Sequence, residues 1–145
     1  MESAYLYLAM SSYCNVGNFS GFGKWLRVQA QEELGHAMKL FDYVHHRGSS
    51  TSLKAIGEPK ASFNNLLELF SVVLEHEKKV TGLIHKLYEM TLKENDYASQ
   101  VELQWFITEQ VEEEQTATTI VEQLKMIGDN KAMLLMMDRQ MAARS

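Results

Sequence analysis

Apolar and polar residues alternate along this chain at helical spacing almost from the first residue to the last. Ala4, Tyr7, Ser11 and Cys14 make one line, flanked by Leu8 and Met10, and predict a helix from Met1 to about Val16. The Asn- and Gly-rich cluster from Asn15 to Gly21 breaks it. Ser20 is placed to cap a second helix with Leu26, Ala30, Ala37, Leu40 and Val44 on one face, which runs to about His46 and stops at Gly48. Residues 48–61 hold Gly48, a Ser/Thr run over 49–52, Gly57 and Pro59, a long connection for a helical domain. A short loop would set its neighbours antiparallel; a link of this length can cross a whole bundle. Ser62 is expected to cap a third helix that ends at about Lys93, with Leu66, Phe70, Val73, Val80, Ile84 and Leu87 as its stripe. After a turn over 94–96, the fourth helix spans about Tyr97 to Ile127, with Leu103, Phe106, Ala117, Ile120 and Leu124 inward, and Gly128 ends it. A short fifth helix is expected from Ala132 to about Ala143. The reading is all-α: four long helices, a long crossover between the second and third, and a short fifth, in one domain over 1–145.

Each apolar stripe is interrupted near its middle by polar residues. Glu33 lies on the buried line between Ala30 and Ala37, and His36 follows one turn on. Glu77 sits between Val73 and Val80, Gln110 and Glu113 between Phe106 and Ala117, and Tyr7 on the first helix. A lone Glu-x-x-His is common on solvated faces. The repetition of the anomaly on every long helix is what points elsewhere. In a bundle that levels these positions, three carboxylates, an imidazole, an amide and a phenol face one another in an apolar core. Left uncompensated, the carboxylates would repel. Two divalent cations sharing a bridging carboxylate would resolve the conflict, as in other bundles with Glu and Glu-x-x-His on facing helices. Carboxylates with one imidazole and no thiolate suit iron or manganese and tolerate zinc. Glu32, Glu109 and Glu112 flank this set and suggest a neighbouring third cation, against the plainer reading of solvated glutamates. His76 lies about 100° off the third stripe and is read, with His45, His46 and His85, as solvated.

Composition narrows the partners. The 145 residues carry a formal charge of −5, which disfavours a nucleic-acid backbone and suits a small cation. A single proline in a chain of this length favours long helices. The single cysteine, Cys14, excludes an intrachain disulfide, is read as a small core residue, and suits a reducing cytosol. No apolar stretch approaches bilayer length and no signal peptide is visible, so no membrane partner is expected. The fifth helix, with Met133, Leu134, Met136, Met137 and Met141, is apolar on several sides and is expected to pack against copies or adjoining subunits.

The motifs SAYLYLAM (3–10), QAQEELGHAMK (29–39), LEHE (74–77) and WFITEQVEEE (105–114), with Asp138-Arg139, resemble those of prokaryotic non-haem ferritins over essentially the whole chain. The resemblance implies a ferritin-like four-helix bundle and a cytoplasmic iron-storage protein whose subunits form a hollow shell of 24 copies. It implies a ferroxidase: Fe(II) would be oxidised by O2 or H2O2 at a dinuclear centre inside each bundle and stored as a ferric mineral. Residue by residue, Glu33 matches the bridging ligand, His36 a ligand of the first iron, and Glu77 and Glu113 ligands of the second. Gln110 matches the amide beside them and Tyr7 the tyrosine behind them. Glu32, Glu109 and Glu112, with Glu113, match a third iron site. Haem-containing relatives carry a second Glu-x-x-His; here Thr116 stands three residues after Glu113, so no haem is expected. The family also has a first-helix glutamate seven residues before the position of Tyr7, which falls one residue before Met1; Glu2 lies on another face. This reads as either a truncated chain or a misassigned start, with the first-iron site short of its terminal carboxylate, and the alternative function is a structural shell that binds metal passively.

Overall fold

The computed structural model describes all 145 residues. It contains five α-helices and no strand: α1 (Glu2–Val16), α2 (Ser20–His46), α3 (Leu66–Lys93), α4 (Tyr97–Ile127) and α5 (Lys131–Met141). No helix is long and apolar enough to cross a membrane. The chain divides into two compact units, Met1–Phe63 with Asp129–Ser145, and Asn64–Gly128.

The first unit is an α1–α2 hairpin with α5 laid on α2. Its core is Tyr7, Met10 and Cys14 from α1 and Phe22, Leu26 and Ala30 from α2, all buried. Leu8, expected beside the α1 line, is instead half exposed. Asn18, in the left-handed region at φ 63°, turns the chain between the helices.

Ser20 does not cap α2: it is an exposed residue of the first turn, and Phe19, at the cap, offers no side-chain acceptor. The backbone N–H of Phe22 instead donates to Asp138 Oδ1 of α5 at 2.9 Å. A carboxylate from 116 residues away thus does the work of an N-cap and meets the positive end of the helix. Gly21 permits the approach, since a Cβ there would fall 1.7 Å from the Asp138 carbonyl oxygen. One turn on, at the C-cap of α5, Lys24 Nζ donates to the Ala142 carbonyl at 2.8 Å. Met137 and Met141 are buried, while Met133, Leu135 and Met136 stay exposed, so α5 has one face on its own chain and one apolar face open.

After Gly48, at φ 73°, the link carries no regular structure until α3. Phe63, near its end, packs edge-on against Tyr13 at 5.3 Å between ring centres. The link leaves the C-terminal end of α2 and reaches the C-terminal end of α1, so it crosses the length of the antiparallel hairpin, as its size predicts.

The second unit is the α3–α4 hairpin. α3 begins at Leu66, later than a Ser62 cap would set it. Asn65 Oδ1 accepts from the N–H of Glu68 at 2.8 Å, and Glu68 Oε2 accepts from the N–H of Asn64 at 2.7 Å. This reciprocal pairing satisfies two amide groups that Ser62 would leave open. Asp96 caps α4 through the N–H of Ser99 at 3.2 Å. Leu66, Phe70, Val73 and Ile84 are buried as expected, but Leu87 is 44% exposed. The α4 stripe is buried throughout, with Val121 added to it.

Candidate metal centre

On α2, Glu33 is buried and His36 half-buried. His36 Nδ1 lies 3.5 Å from Glu33 Oε1, an approach set by their i, i+3 spacing. Oε1 is shielded from solvent and accepts no hydrogen bond. A buried carboxylate oxygen without a donor costs about 1–3 kcal/mol, so a protein built to stand alone would give it one. A cation between the carboxylate and the imidazole would remove the cost. Gln29, one turn earlier on the same face, is also buried. The sequence reading passed over it, although its position next to Ala30 on the stripe was a usable signal.

The second unit holds its carboxylate differently. Glu77 is 2% exposed on α3. Gln110 Nε2, on α4, lies 3.2 Å from Glu77 Oε2, from the Glu77 carbonyl and from Thr81 Oγ1. Thr81 Oγ1 in turn donates to the Glu77 carbonyl at 3.0 Å. One carboxylate oxygen of Glu77 is therefore held by the Gln110 amide. Glu113, one turn beyond Gln110, is buried too. Thr81 was not singled out from the sequence; a hydroxyl four residues after a buried glutamate is its only signal.

Tyr7 is fully buried in the first unit and Glu2 is exposed, as their helical phase predicts. Of the flanking acids, Glu109 is half-buried and Glu112 exposed. Glu32 is engaged: Arg144 pairs with its Oε2, and the Arg144 guanidinium lies 4.3 Å over the Trp25 ring. Sequence spacing gave no sign of this contact. His45, His46 and His85 are exposed as read, but His76 is half-buried rather than solvated. Cys14 is fully buried, and burial, helped by the Asp138 charge, pushes its thiol up to about 12.

A family model described as ferritin-like domain matches residues 1–127. The chain belongs to the ferritin family. It is 39% identical over 143 residues to the bacterial non-heme ferritin of Staphylococcus haemolyticus, covering 99% of this chain and 86% of that protein. The bacterial non-heme ferritin of Staphylococcus aureus strain USA300 is 35% identical over the same share of each chain. Among solved structures, an open pore ferritin from the hyperthermophilic archaeon Archaeoglobus fulgidus superposes with a TM-score of 0.99 at 48% identity, covering 99% of this chain and 89% of that one. A humanized archaeal ferritin gives a TM-score of 0.98 at 47% identity, covering 99% of this chain and 88% of that one. The fold is thus that of the ferritin four-helix bundle with a short fifth helix, as read from the helical pattern. Iron storage is the function that this membership supports.

Proposed function

We propose that this ferritin oxidises Fe(II) and stores the ferric product within a hollow homo-oligomeric shell, of 24 copies as the family resemblance implies. The two units act as one ferritin-like domain in the cytoplasm. Fe(II) is the substrate, and each ion gives one electron to O2 or H2O2. Glu33 bridges two ions, His36 completes the first, and Glu77 and Glu113 hold the second. Gln110 sets the orientation of Glu77, and Tyr7 stands behind the ligands. Glu32, Glu109 and Glu112, with Glu113, take a third ion.

The observation that carries this reading is the Glu33 Oε1 atom, buried, without a hydrogen bond, and 3.5 Å from an imidazole nitrogen. Carboxylate oxygens and one imidazole suit Fe(II), and the absence of any thiolate argues against a site selecting softer ions. Oxidation is favoured where anionic oxygen ligands stabilise the higher charge of Fe(III) over Fe(II). Mixing the protein with Fe(II) in air and following ferric absorbance tests the centre. The wild-type chain should oxidise Fe(II) rapidly and Glu33→Ala should slow it by about 100-fold, on the scale of losing a ligand environment. Equal rates would reject Glu33 as the bridge. Light scattering tests the shell, and a monomer would reject that part alone.

A further inference from the structure

Trp25 and Glu32 are seven residues apart on α2, so they lie on one face, two turns from each other. Arg144, three residues beyond α5, spans that face. Its guanidinium stacks 4.3 Å over the Trp25 ring and pairs with Glu32 Oε2. The side chains are 23% and 41% exposed, so this is a partly buried contact at the edge of solvent. We infer that Arg144 is an internal competitor for a cation at Glu32: it holds the carboxylate with its own charge until a divalent ion displaces it. The inference rests on the third-ion part of the reading above.

Three features make the contact displaceable. First, α5 does not depend on it, because Asp138 on the Phe22 N–H and Lys24 on the Ala142 carbonyl fasten that helix separately. Second, the last backbone hydrogen bond of the tail, from the Arg144 N–H to the Met141 carbonyl, is a long 3.4 Å. Third, Arg144 Nη1 is shielded from solvent and donates to nothing, so release returns its N–H groups to water. A guanidinium and a divalent ion cannot both sit on one carboxylate without repelling. Each must therefore weaken the other's hold on Glu32 by the same factor.

Zn2+, which does not change oxidation state, is the probe. Binding to the assembled, iron-free protein is measured by equilibrium dialysis. Fluorescence is followed in a Trp105→Phe background, where Trp25 is the sole remaining tryptophan. Filling of the weakest Zn2+ class should change Trp25 emission in the wild-type tail. Arg144→Gln should tighten that class by about fivefold, the scale of an exposed ion pair, and abolish the emission change. Arg144→Lys, which keeps the charge without the flat stacking surface, should fall between. Equal Zn2+ affinity in all three chains, or no weak class in any of them, overturns the inference. Glu32→Gln separates the two levels of the argument. If it removes the weak class while Arg144→Gln does nothing, Glu32 binds a cation and only the competition is rejected. If it leaves every class intact, the third-ion reading falls and the competition with it. The tighter classes, lost in Glu33→Ala, report the central centre independently of both.

Discussion

The two helical units solve the same problem, a carboxylate in an apolar core, in opposite ways. In α1–α2, Glu33 is left with an oxygen that accepts no hydrogen bond, and its near neighbour is an imidazole. In α3–α4, Glu77 is tied down by the Gln110 amide, with Thr81 closing the group. A tied carboxylate is preorganised and pays little to be buried; an untied one is destabilising until a cation arrives. The units also differ in how their helices are ended. α3 and α4 are capped by residues next to them in sequence, Asn65 with Glu68, and Asp96. α2 is capped from the far end of the chain by Asp138.

The harshest way to break this contrast is Gly21→Ala. The new Cβ would collide with the Asp138 backbone, so α5 must move and the remote cap is lost. A destabilisation of about 3 kcal/mol is expected in denaturant titration, as for an overpacked contact plus a lost cap. A loss under 0.5 kcal/mol would mean that α5 contributes little to the first unit.

Removing one charge at a time from the metal-free protein sharpens the comparison of carboxylates. Glu33→Gln should raise the unfolding free energy by about 1 kcal/mol, because a buried carboxylate oxygen that accepts no hydrogen bond is removed. Glu77→Gln should lower it by a similar amount, because a charge-assisted hydrogen bond becomes a neutral one. If both variants shift the melting temperature in the same direction, the two environments are not the opposites described here.

Gln110→Ala should leave the tertiary fold in place but free Glu77 to rotate, weakening metal affinity by about 10-fold, as for other residues that orient a ligand. Unchanged affinity would show that packing alone orients Glu77. In the same unit, Asn65→Ala should cost about 1 kcal/mol, since only a local cap is lost. Substituting Ser62 should cost nothing measurable, which distinguishes the observed cap from the one its sequence position suggests.

Cys14 gives the smallest effect near neutrality. Its thiol is held up to about 12 from an ordinary 9.0, so the folded state keeps the proton where the unfolded chain releases it. Stability from this group is fully present below pH 9 and falls as the pH rises toward 12. A thiol reagent at pH 8 should label Cys14 only as fast as the protein unfolds. Rapid labelling of the native protein would contradict its burial.

Most of the fold was legible because helical periodicity is a local property. The spacing of Leu103, Phe106, Ala117, Ile120 and Leu124 fixes the buried face of α4 within its own turns. The same periodicity exposed Glu33, Glu77, Gln110 and Glu113 as polar residues in apolar slots, and all four are buried. The misplaced caps have a common cause. Ser62 and Ser20 are good capping residues by type, but whether a cap is used depends on which acceptor reaches the free N–H groups first. At α3 a better local pair stood three residues later. At α2 the acceptor came from α5, and no window around Ser20 contains it.

By itself, the sequence determined the number of helices, most of their buried faces, the mid-helix acids and the long crossing link. All of these follow from neighbours within a few turns. Only the tertiary structure decided that Asp138 caps α2, that Gln110 holds Glu77, that Arg144 reaches Glu32, and that Glu33 Oε1 is left without a donor. Such pairings depend on distances of a few ångströms between residues far apart in the chain. Helical phase gives the direction in which a side chain leaves its helix, but not what lies at the end of it.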